Sequence, residues 1–575
     1  MSRDPTVPVN LTTTTPVGPV ERTLAAAQAT DRVERLRYWR RGGSTGIDTT
    51  PTGTLLVDFT VQPVATSSVV TYGGPGSGAD VINDGAFGTY TVTTTSATTA
   101  HPNLVGVTAV QDGGWKLSNT SQTSPSVAKN FNPKITFSKD IDLSTATSVV
   151  LEWGVPEYGT SRGLYLGPRP MFLNSGETKQ WWQTNTSMFN SVIVKSTSMI
   201  TTTPIDTPSW TDSTGLRDWA AVRKLILHMY VVYNNGGNYA TLKRVWVNRK
   251  NAKAKVAFTF DDGSYTTYSQ AYPVLAANGI KGGVAVIQSA AATGDDVTTM
   301  STATIKLLHD AGWGTYNHMV TGNAQLCARM QVNNAASAGT SVVFDTWAEV
   351  VTDAVIGHTY TIRGNFGPEY NGTFTLASKP SSTQLEFTVS GPSALKTYTQ
   401  THGFCYMDWP EQTRAARIAA EVTYCKTYME ANGLTRGSDF FVAPNGAIDR
   451  SWWADLEAAG FIGARTTEAH YRIDGANAVE AGMQYTKGEF PRFAICSTIL
   501  DNFPLANIAT LYAMIDNACD EGAFINFYGH IVGASPASGQ TGLNVLTPLA
   551  EYIKTKVDAG LMDVVTLDEF ARAMI

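Results

Sequence analysis

The chain has 575 residues, of which 43% are hydrophobic and 16% charged, so it can hold several ordinary domains with well-packed cores. Its formal net charge of −6 gives no reason to expect a nucleic-acid partner. No apolar run reaches the roughly 18 residues of a membrane span, and the N-terminus lacks the apolar core of a secretory signal peptide, so we expect neither a membrane span nor a standard export signal.

Two segments are predicted before residue 251. Residues 1–50 combine a Thr/Pro-rich start with a short helical pattern that has a basic end, and we interpret them as an attachment segment. Residues 51–250 are rich in Thr, Val and Gly and contain short alternating runs, which is typical of a β-sandwich with a jelly-roll-like order. Five tryptophans of this segment fit either a carbohydrate-binding face or the core: Trp181, Trp182, Trp210, Trp219 and Trp246.

Residues 251–575 alternate strand-like and helix-like segments, and glycines follow the helix-like ones as they do after helix ends. The predicted strands are 255–260, 284–287, 314–317, 440–443, 462–465, 524–528 and 562–565. Repeated βα units imply a parallel sheet, and about seven of them favour closure into a distorted (β/α) barrel. In such a barrel the catalytic groups gather where the strands end.

The first of these strands ends in Asp261 and Asp262, followed by a turn at Gly263. Burying two carboxylates beside an apolar strand is costly without a cation or a proton partner. Successive side chains of a strand point opposite ways, so one Asp can bind a metal while its neighbour handles a proton. Asp-Asp-Gly alone is more often a solvated turn, but the strand context favours a metal site.

Polar side chains also follow the other predicted strands. They are His318, Pro444, Asn445, Gly446, Arg465 and His530. Because the strands of a parallel barrel end at the same rim, we expect these groups to lie near the two aspartates. A core role for His318 and an ordinary ion pair for Arg465 are the alternatives.

A β-rich stretch, residues 322–401, interrupts the βα pattern and predicts a small inserted β domain. Removing it would place His402 directly after Thr321, four positions beyond His318. We therefore hypothesise that His402 completes the metal site, because domains inserted at a loop have ends that lie side by side. The alternative, a loop histidine without a role, stays open.

The run Thr259-Phe-Asp-Asp-Gly263 resembles the first motif of the polysaccharide deacetylases, the NodB-homology or carbohydrate esterase 4 family. The resemblance implies a distorted (β/α) barrel and a divalent metal, usually Zn²⁺. It also implies that Asp261 is the general base and that Asp262 and two histidines bind the metal. His318 matches the first histidine, whereas Gly322 stands in the place of the second, for which His402 is the proposed substitute.

The remaining motifs imply further roles. Pro444-Asn445-Gly446 is similar to the third motif, in which a backbone N–H stabilises the oxyanion. The arginine of that motif is missing, and Arg465 is the candidate that would steady Asp261. His530 corresponds to the general acid, and Asp501 to the residue that orients it, which predicts a bell-shaped pH profile.

These features predict metal-dependent removal of N- or O-acetyl groups from a bacterial surface polysaccharide. The domain order also resembles that of bacteriophage tail fibre or tailspike proteins. This resemblance implies a location in the virion tail and contact of residues 1–50 with other tail proteins. Whether the protein forms a homo-oligomer stays open. The alternative is a non-catalytic receptor-binding protein with a degenerate barrel that binds glycan, favoured by Gly322 and the missing arginine. Glycosidic cleavage would need two well-separated carboxylates, which the motifs do not supply.

Overall fold

The computed structural model describes, before residue 252, the strands given below with residues 142–144, 146, 174–176 and 219–221. From residue 253 to 574 it describes the chain except for 297, 323–325, 333–340, 365–371, 389–404, 410–413, 449, 468–470, 475–476, 481–491 and 535–537. The predicted attachment segment, residues 1–50, and His402 therefore lie outside the described residues.

The described strands of residues 51–251 form antiparallel sheets. Strands β1–β14 are Pro51–Asp58, Val70–Thr71, Ala79–Asp84, Gly88–Thr95, Gly106–Val107, Trp115–Ser118, Lys129–Ile141, Ser148–Gly154, Leu164–Leu173, Gln180–Gln183, Ser198–Pro204, Trp210–Asp212, Val222–Val231 and Tyr239–Asn251. One sheet has the order β1-β14-β8-β11 with β6 on β14, a second has β12-β10-β9-β13-β7-β4-β3, and β2 pairs with β5. The packing of these sheets into a sandwich stays a prediction.

Of the five tryptophans in this segment, Trp219 packs edge-on against the buried Phe172, with ring centroids 5.3 Å apart, which favours a core role for it. Trp246 is partly buried. The side chains of Trp181, Trp182 and Trp210 lie outside the description, so carbohydrate binding by this segment stays a prediction.

Residues 253–317 begin a parallel sheet with helices on its faces. Strands β15–β17 are Ala254–Phe260, Gly283–Val286 and Gly314–Asn317, and helices α1–α3 are Tyr272–Ala277, Gln288–Ala291 and Thr302–Asp310. A π-helical turn, Thr267–Ala271, leads into α1. Helix α3 begins at a Ser301 cap whose side chain accepts a hydrogen bond from the Thr304 N–H, as is usual at a helix N-terminus.

The chain then forms a small closed barrel of six strands. Strands β18–β23 are Ala328–Val332, Ser341–Thr346, Thr359–Gly364, Gly372–Ser381, Gln384–Thr388 and Cys405–Asp408, with helix α4 at Ala348–Asp353. Their order is β18-β19-β22-β21-β20-β23, and the barrel encloses its own apolar core around Phe344, Tyr360 and Phe387. We call Ala328–Asp408 the inserted barrel. It extends beyond residue 401, because Cys405–Asp408 pairs with both β18 and β20 and so closes the ring.

The rest of the chain completes the parallel sheet and adds two separate two-stranded sheets. Strands β24–β32 are Phe440–Val442, Gly463–Arg465, Tyr471–Asp474, Asn477–Glu480, Thr498–Ile499, Phe524–Gly529, Ile531–Gly533, Gln540–Gly542 and Met562–Val564. Helices α5–α10 are Arg414–Arg417, Tyr424–Ala431, Trp453–Ala458, Ile508–Glu521, Leu543–Asp558 and Leu567–Met574. A π-helical turn spans Ile418–Thr423, and short 3-10 turns are Pro444–Gly446, Arg450–Trp452 and Leu505–Asn507.

The parallel sheet has the strand order β25-β24-β17-β16-β15-β29-β28, with β32 on β15. Every residue of β15 is buried: Val256, Phe258 and Phe260 belong to one apolar cluster, and Ala257 belongs to a second cluster with Phe440 and Phe570. The sheet curls into a half-barrel, and a parallel bridge between Arg465 and Ile495 ties its β25 edge to the segment that leads into β28. All seven predicted strands are present. We call residues 251–575 outside the inserted barrel the parallel-sheet domain.

Within the described part of the chain, no helix is both long enough and apolar enough to cross a bilayer.

Candidate active site

Asp261 lies at the carboxyl end of β15 and is only 3% exposed. Its Oδ2 accepts a hydrogen bond from Nη2 of Arg465 at 2.5 Å, and the arginine side chain is fully buried. Arg465 ends β25, so the curl of the sheet brings together two strand ends that are 204 residues apart in the chain. Oδ1 of Asp261 is buried without a hydrogen-bond partner among the described residues. One carboxylate oxygen is thus fixed by charge, and the other is left to accept a proton.

Asp262 and His318 form a second pair. Nδ1 of His318 lies 2.8 Å from the carbonyl oxygen of Val442, which can only accept, so Nδ1 must carry the proton. In neutral His318 the other nitrogen, Nε2, therefore presents a lone pair, and it lies 3.3 Å from Oδ1 of Asp262. Two acceptors at this distance require a proton or a cation between them.

The Asp262–His318 pair fits one edge of a metal site. Two ligands at about 2.1 Å from a tetrahedral Zn²⁺ would be roughly 3.4 Å apart, close to the observed distance. The bond from His318 to Val442 supplies the outer-shell support that metal-binding histidines usually have. Among the described residues, no third His, Cys, Asp or Glu joins them in a group able to hold a metal.

Electrostatics favours a charged Asp262. Burial alone would raise the pKa of its carboxyl, but its contact with Nε2 of His318 and the positive charges of His530 and Arg465 lower the pKa overall. The side chain is 54% exposed on the rim, so the charge is also partly solvated.

The backbone around these residues is held in an uncommon conformation. Four non-glycine residues in the described part of the chain have a left-handed φ, and each is a site residue or directly follows one: Asp262 at 65°, Met319 at 69°, Asn445 at 53° and Asn502 at 59°. Met319 is buried, and its N–H donates to Oδ1 of Asn317 at 3.0 Å, which holds the turn that aims His318. Left-handed backbone outside glycine costs energy and is concentrated at functional sites.

His530 follows β29, and its Nδ1 donates to Oδ2 of Asp501 at 2.5 Å. Asp501 is itself fixed, because its Oδ1 accepts from the Thr541 hydroxyl at 2.6 Å. Burial alone would lower the pKa of His530, but the hydrogen bond to Asp501 and the negative charges of Asp261, Asp262 and Asp501 raise it to about 9. The imidazole is therefore protonated at neutral pH, with Nε2 as the nitrogen that can donate a second proton.

Pro444, Asn445 and Gly446 form the turn that follows β24, and the first two line the same cavity as the aspartates. Gly446 has a φ of 62°, and a Cβ there would lie 2.8 Å from the backbone nitrogen of Thr467. Only glycine fits, so the turn is held tightly against the strand end that carries Arg465.

Tyr528 belongs to the site and was not among the predicted residues. Its ring lies 4.6 Å from the Arg465 guanidinium, which stacks over it. Burial and the negative charges of Asp261 and Asp501, against the lowering effect of Arg465, raise the pKa of Tyr528 to about 12, so the hydroxyl stays neutral. Tyr528 lies two residues before His530, which directly follows β29, and both line the cavity; this spacing was the available signal.

A single cavity of about 630 Å³ joins these groups. Asp261, Asp262, His318, Asn445, Tyr528 and His530 all line it. Its volume lies within the roughly 300–1,000 Å³ typical of small-molecule sites. The predicted site residues of the parallel-sheet domain are thus brought to one place, with Arg465 and Asp501 holding Asp261 and His530 from behind.

Gly322 also lines the cavity, in the position where the family pattern has its second histidine. Its φ is 69°, and a Cβ there would meet Cδ1 of Ile287 at 2.5 Å, so a larger side chain is strained at this position. The proposed substitute, His402, lies outside the described residues. Ala328 pairs with Met407 where the inserted barrel closes, and the role of His402 as the third ligand stays a prediction.

A comparison with family models bears on the first three strands of the parallel sheet. Residues 248–336 match the polysaccharide deacetylase family model. The match contains β15–β17 with Asp261, Asp262 and His318, and it ends inside the inserted barrel, before the other site residues. No curated protein matches the chain.

Three solved structures are similar to parts of the chain. The BpsB deacetylase domain from Bordetella bronchiseptica aligns at 14% identity, covering 48% of this chain and 72% of that chain with a TM-score of 0.22. The T48 deacetylase with substrate aligns at 10% identity over 56% and 93%, with a TM-score of 0.25. Xylanase 10C from Cellvibrio japonicus aligns at 8% identity over 81% and 97%, with a TM-score of 0.18.

Proposed function

We propose that this protein is a metal-dependent hydrolase that removes acetyl groups from a polysaccharide. The observation that supports it most directly is that one cavity is lined by a buried carboxylate, a His–carboxylate pair suited to a cation, and a protonated histidine. The match of residues 248–336 to the polysaccharide deacetylase family supports acetylated carbohydrate as the substrate class.

In this proposal Asp261 is the general base. Arg465 holds one of its oxygens, and the unpartnered Oδ1 accepts the proton of the attacking water. The negative charge that develops on the acetyl oxygen is stabilised in part by the backbone N–H of Asn445, a contribution often worth roughly 3–4 kcal/mol for one donor.

His530 is the general acid. Asp501 fixes its Nδ1–H, so the ring presents Nε2–H to the departing sugar nitrogen or oxygen. Acetate and a deacetylated sugar are the products. The reaction therefore needs ionised Asp261 and protonated His530 at the same time.

Asp262 and His318 would hold a divalent cation, with His402 as the proposed third protein ligand and Zn²⁺ as the first metal to test. When bound, the cation would lower the pKa of water and polarise the acetyl carbonyl.

Acetate release tests this function. Wild-type protein loaded with Zn²⁺ is incubated with N-acetylglucosamine oligomers and with O-acetylated bacterial exopolysaccharide, with and without a chelator. Release from one of them, lost with the chelator and in Asp261→Asn, is the expected result, and the productive substrate distinguishes amide from ester hydrolysis. Acetate release that survives Asp261→Asn would contradict the role of Asp261.

The alternative is a glycan-binding protein without catalysis, for which the strained Gly322 position in place of a histidine is the specific support. It predicts saturable binding of the same oligomers with no acetate released at any metal concentration.

We also propose that the protein acts in a bacteriophage tail, meeting bacterial polysaccharide from outside. The support is the order of segments: the predicted attachment segment at 1–50, a β-rich segment at 51–250 and the parallel-sheet domain with its insertion. Labelling of assembled virions with an antibody against residues 1–50 and against the parallel-sheet domain tests this; a protein absent from virions would exclude it.

A further inference from the structure

The inserted barrel forms one wall of the candidate active site. Five of its residues line the cavity that holds Asp261 and His530: Arg329, Met330, Asp345, Thr346 and Trp347. The first four belong to the adjacent strands β18 and β19, where Met330 pairs with Thr346, and Trp347 directly follows β19. The insertion therefore faces the reacting groups.

This wall is held rigidly. Tyr406 of the inserted barrel and Cys327, which directly precedes the barrel, are buried in a core that also contains Phe441 and Trp452 of the parallel-sheet domain. An insertion that shares a packed core with its host keeps a fixed position, because close packing leaves few alternative arrangements.

A polar contact fixes the wall at the cavity itself. Nη1 of Arg329 donates to the hydroxyl of Thr467, two residues beyond Arg465, at 3.3 Å. The wall is thus joined to the strand end that holds Asp261. The distance between the inserted barrel and the catalytic groups is set by the fold rather than by a flexible tether.

Trp347 is the feature of this wall that points to a ligand. It directly follows β19, lines the cavity and is 48% exposed, although a large aromatic side chain is usually buried. Ile499, which is 45% exposed, lines the cavity from strand β28. An exposed planar ring and an aliphatic side chain in a cavity that also holds carboxylates and amides suit a ligand with both apolar faces and hydroxyl edges. A pyranose ring has this character.

We infer that the inserted barrel is a substrate-binding wall, on which Trp347 stacks against a sugar ring adjacent to the acetylated one. The inference rests on the proposed deacetylase function and extends it: the site takes a chain of sugars rather than a single acetylated sugar. A cavity of about 630 Å³ is larger than an acetyl group requires, which agrees with a site built for more of the substrate.

The test compares a long and a minimal substrate. For wild type and Trp347→Ala, kcat/KM is measured with the hexamer of N-acetylglucosamine and with 4-nitrophenyl acetate, which has no sugar. The ratio of kcat/KM for the hexamer to kcat/KM for 4-nitrophenyl acetate is expected to fall at least tenfold in Trp347→Ala, mostly because KM for the hexamer rises. In Trp347→Phe the ratio should return most of the way to the wild-type value. Tyr424→Ala is the matched control, since Tyr424 is an aromatic residue 58% exposed outside the cavity lining, and it should leave the ratio unchanged.

Binding measurements separate this inference from the proposed function. Hexamer affinity is measured by calorimetry with wild type, Trp347→Ala and Trp347→Phe, each checked by circular dichroism for a wild-type fold. Weaker hexamer binding by Trp347→Ala than by wild type supports the substrate-binding role of Trp347 even if no acetate is released. In that case only the proposed deacetylase function is contradicted. Equal binding by wild type and Trp347→Ala, or no hexamer binding by either, overturns the inference even if 4-nitrophenyl acetate is hydrolysed.

Discussion

Replacing Arg465 by Met should destabilise the site strongly. The Arg465 side chain is fully buried and that of Asp261 is 5% exposed, so the substitution would leave a carboxylate buried without its counter-charge. Breaking one side of a buried pair typically costs about 3–5 kcal/mol, because the remaining charge has lost both water and its partner. The variant should also lose acetate release, since nothing would then hold the Asp261 carboxylate in place as a base.

The double variant Asp261→Asn/Arg465→Met provides the critical comparison. With no charge left to bury, it should regain most of the stability lost by Arg465→Met and yet stay inactive. Hydrogen exchange of peptides spanning Ala254–Phe260 measures the opening free energy of β15, the strand that carries Asp261.

Lys554→Met serves as the control for loss of a positive charge. Lys554 forms an exposed pair with Asp558 in helix α9, at 2.7 Å, and such pairs contribute less than about 0.5 kcal/mol. If Arg465→Met cost no more than this control, or if the double variant were no more stable than Arg465→Met, the buried pair would not have the role argued above.

The remaining predictions concern pH, metal and backbone. The pKa of His530 is raised to about 9, so its acid form persists up to that pH and kcat/KM should decline near pH 9. In Asp501→Asn this decline should occur at lower pH. A decline at an unchanged pH would show that His530 is not the general acid. The amount of Zn²⁺ bound per protein, measured by mass spectrometry, should fall at least tenfold in Asp262→Ala and in His318→Ala. If His402→Ala retained all of its Zn²⁺, His402 would not be a metal ligand. Gly322→Ala should cost at least about 1 kcal/mol in thermal unfolding, because φ is 69° and Ile287 must shift, and a neutral result would show that this turn is not strained.

Local pattern was sufficient to predict the frame of the parallel-sheet domain. Strand β15 was predicted within one residue, because a largely apolar run followed by a carboxylate pair and a glycine is typical of a buried strand that ends in a turn. The rule that parallel strands end at one rim also made Arg465 and His530 candidates without any knowledge of distances. Their contacts with Asp261 and Asp501 agree with this rule.

Tertiary structure alone decided what pairs across long stretches of chain. The first and last strands of the inserted barrel, Ala328–Val332 and Cys405–Asp408, escaped prediction because each is short and gains its partner only when the ring closes. For the same reason the sequence could not indicate that Trp347 lies beside the catalytic groups, since side-chain pattern predicts which residues form strands but not where an insertion comes to rest. Catalytic residues that are adjacent in the chain, such as Asp261 and Asp262, can be predicted from the sequence. The residues that form a cavity wall come from distant segments, so they are known only once the chain has folded and packed.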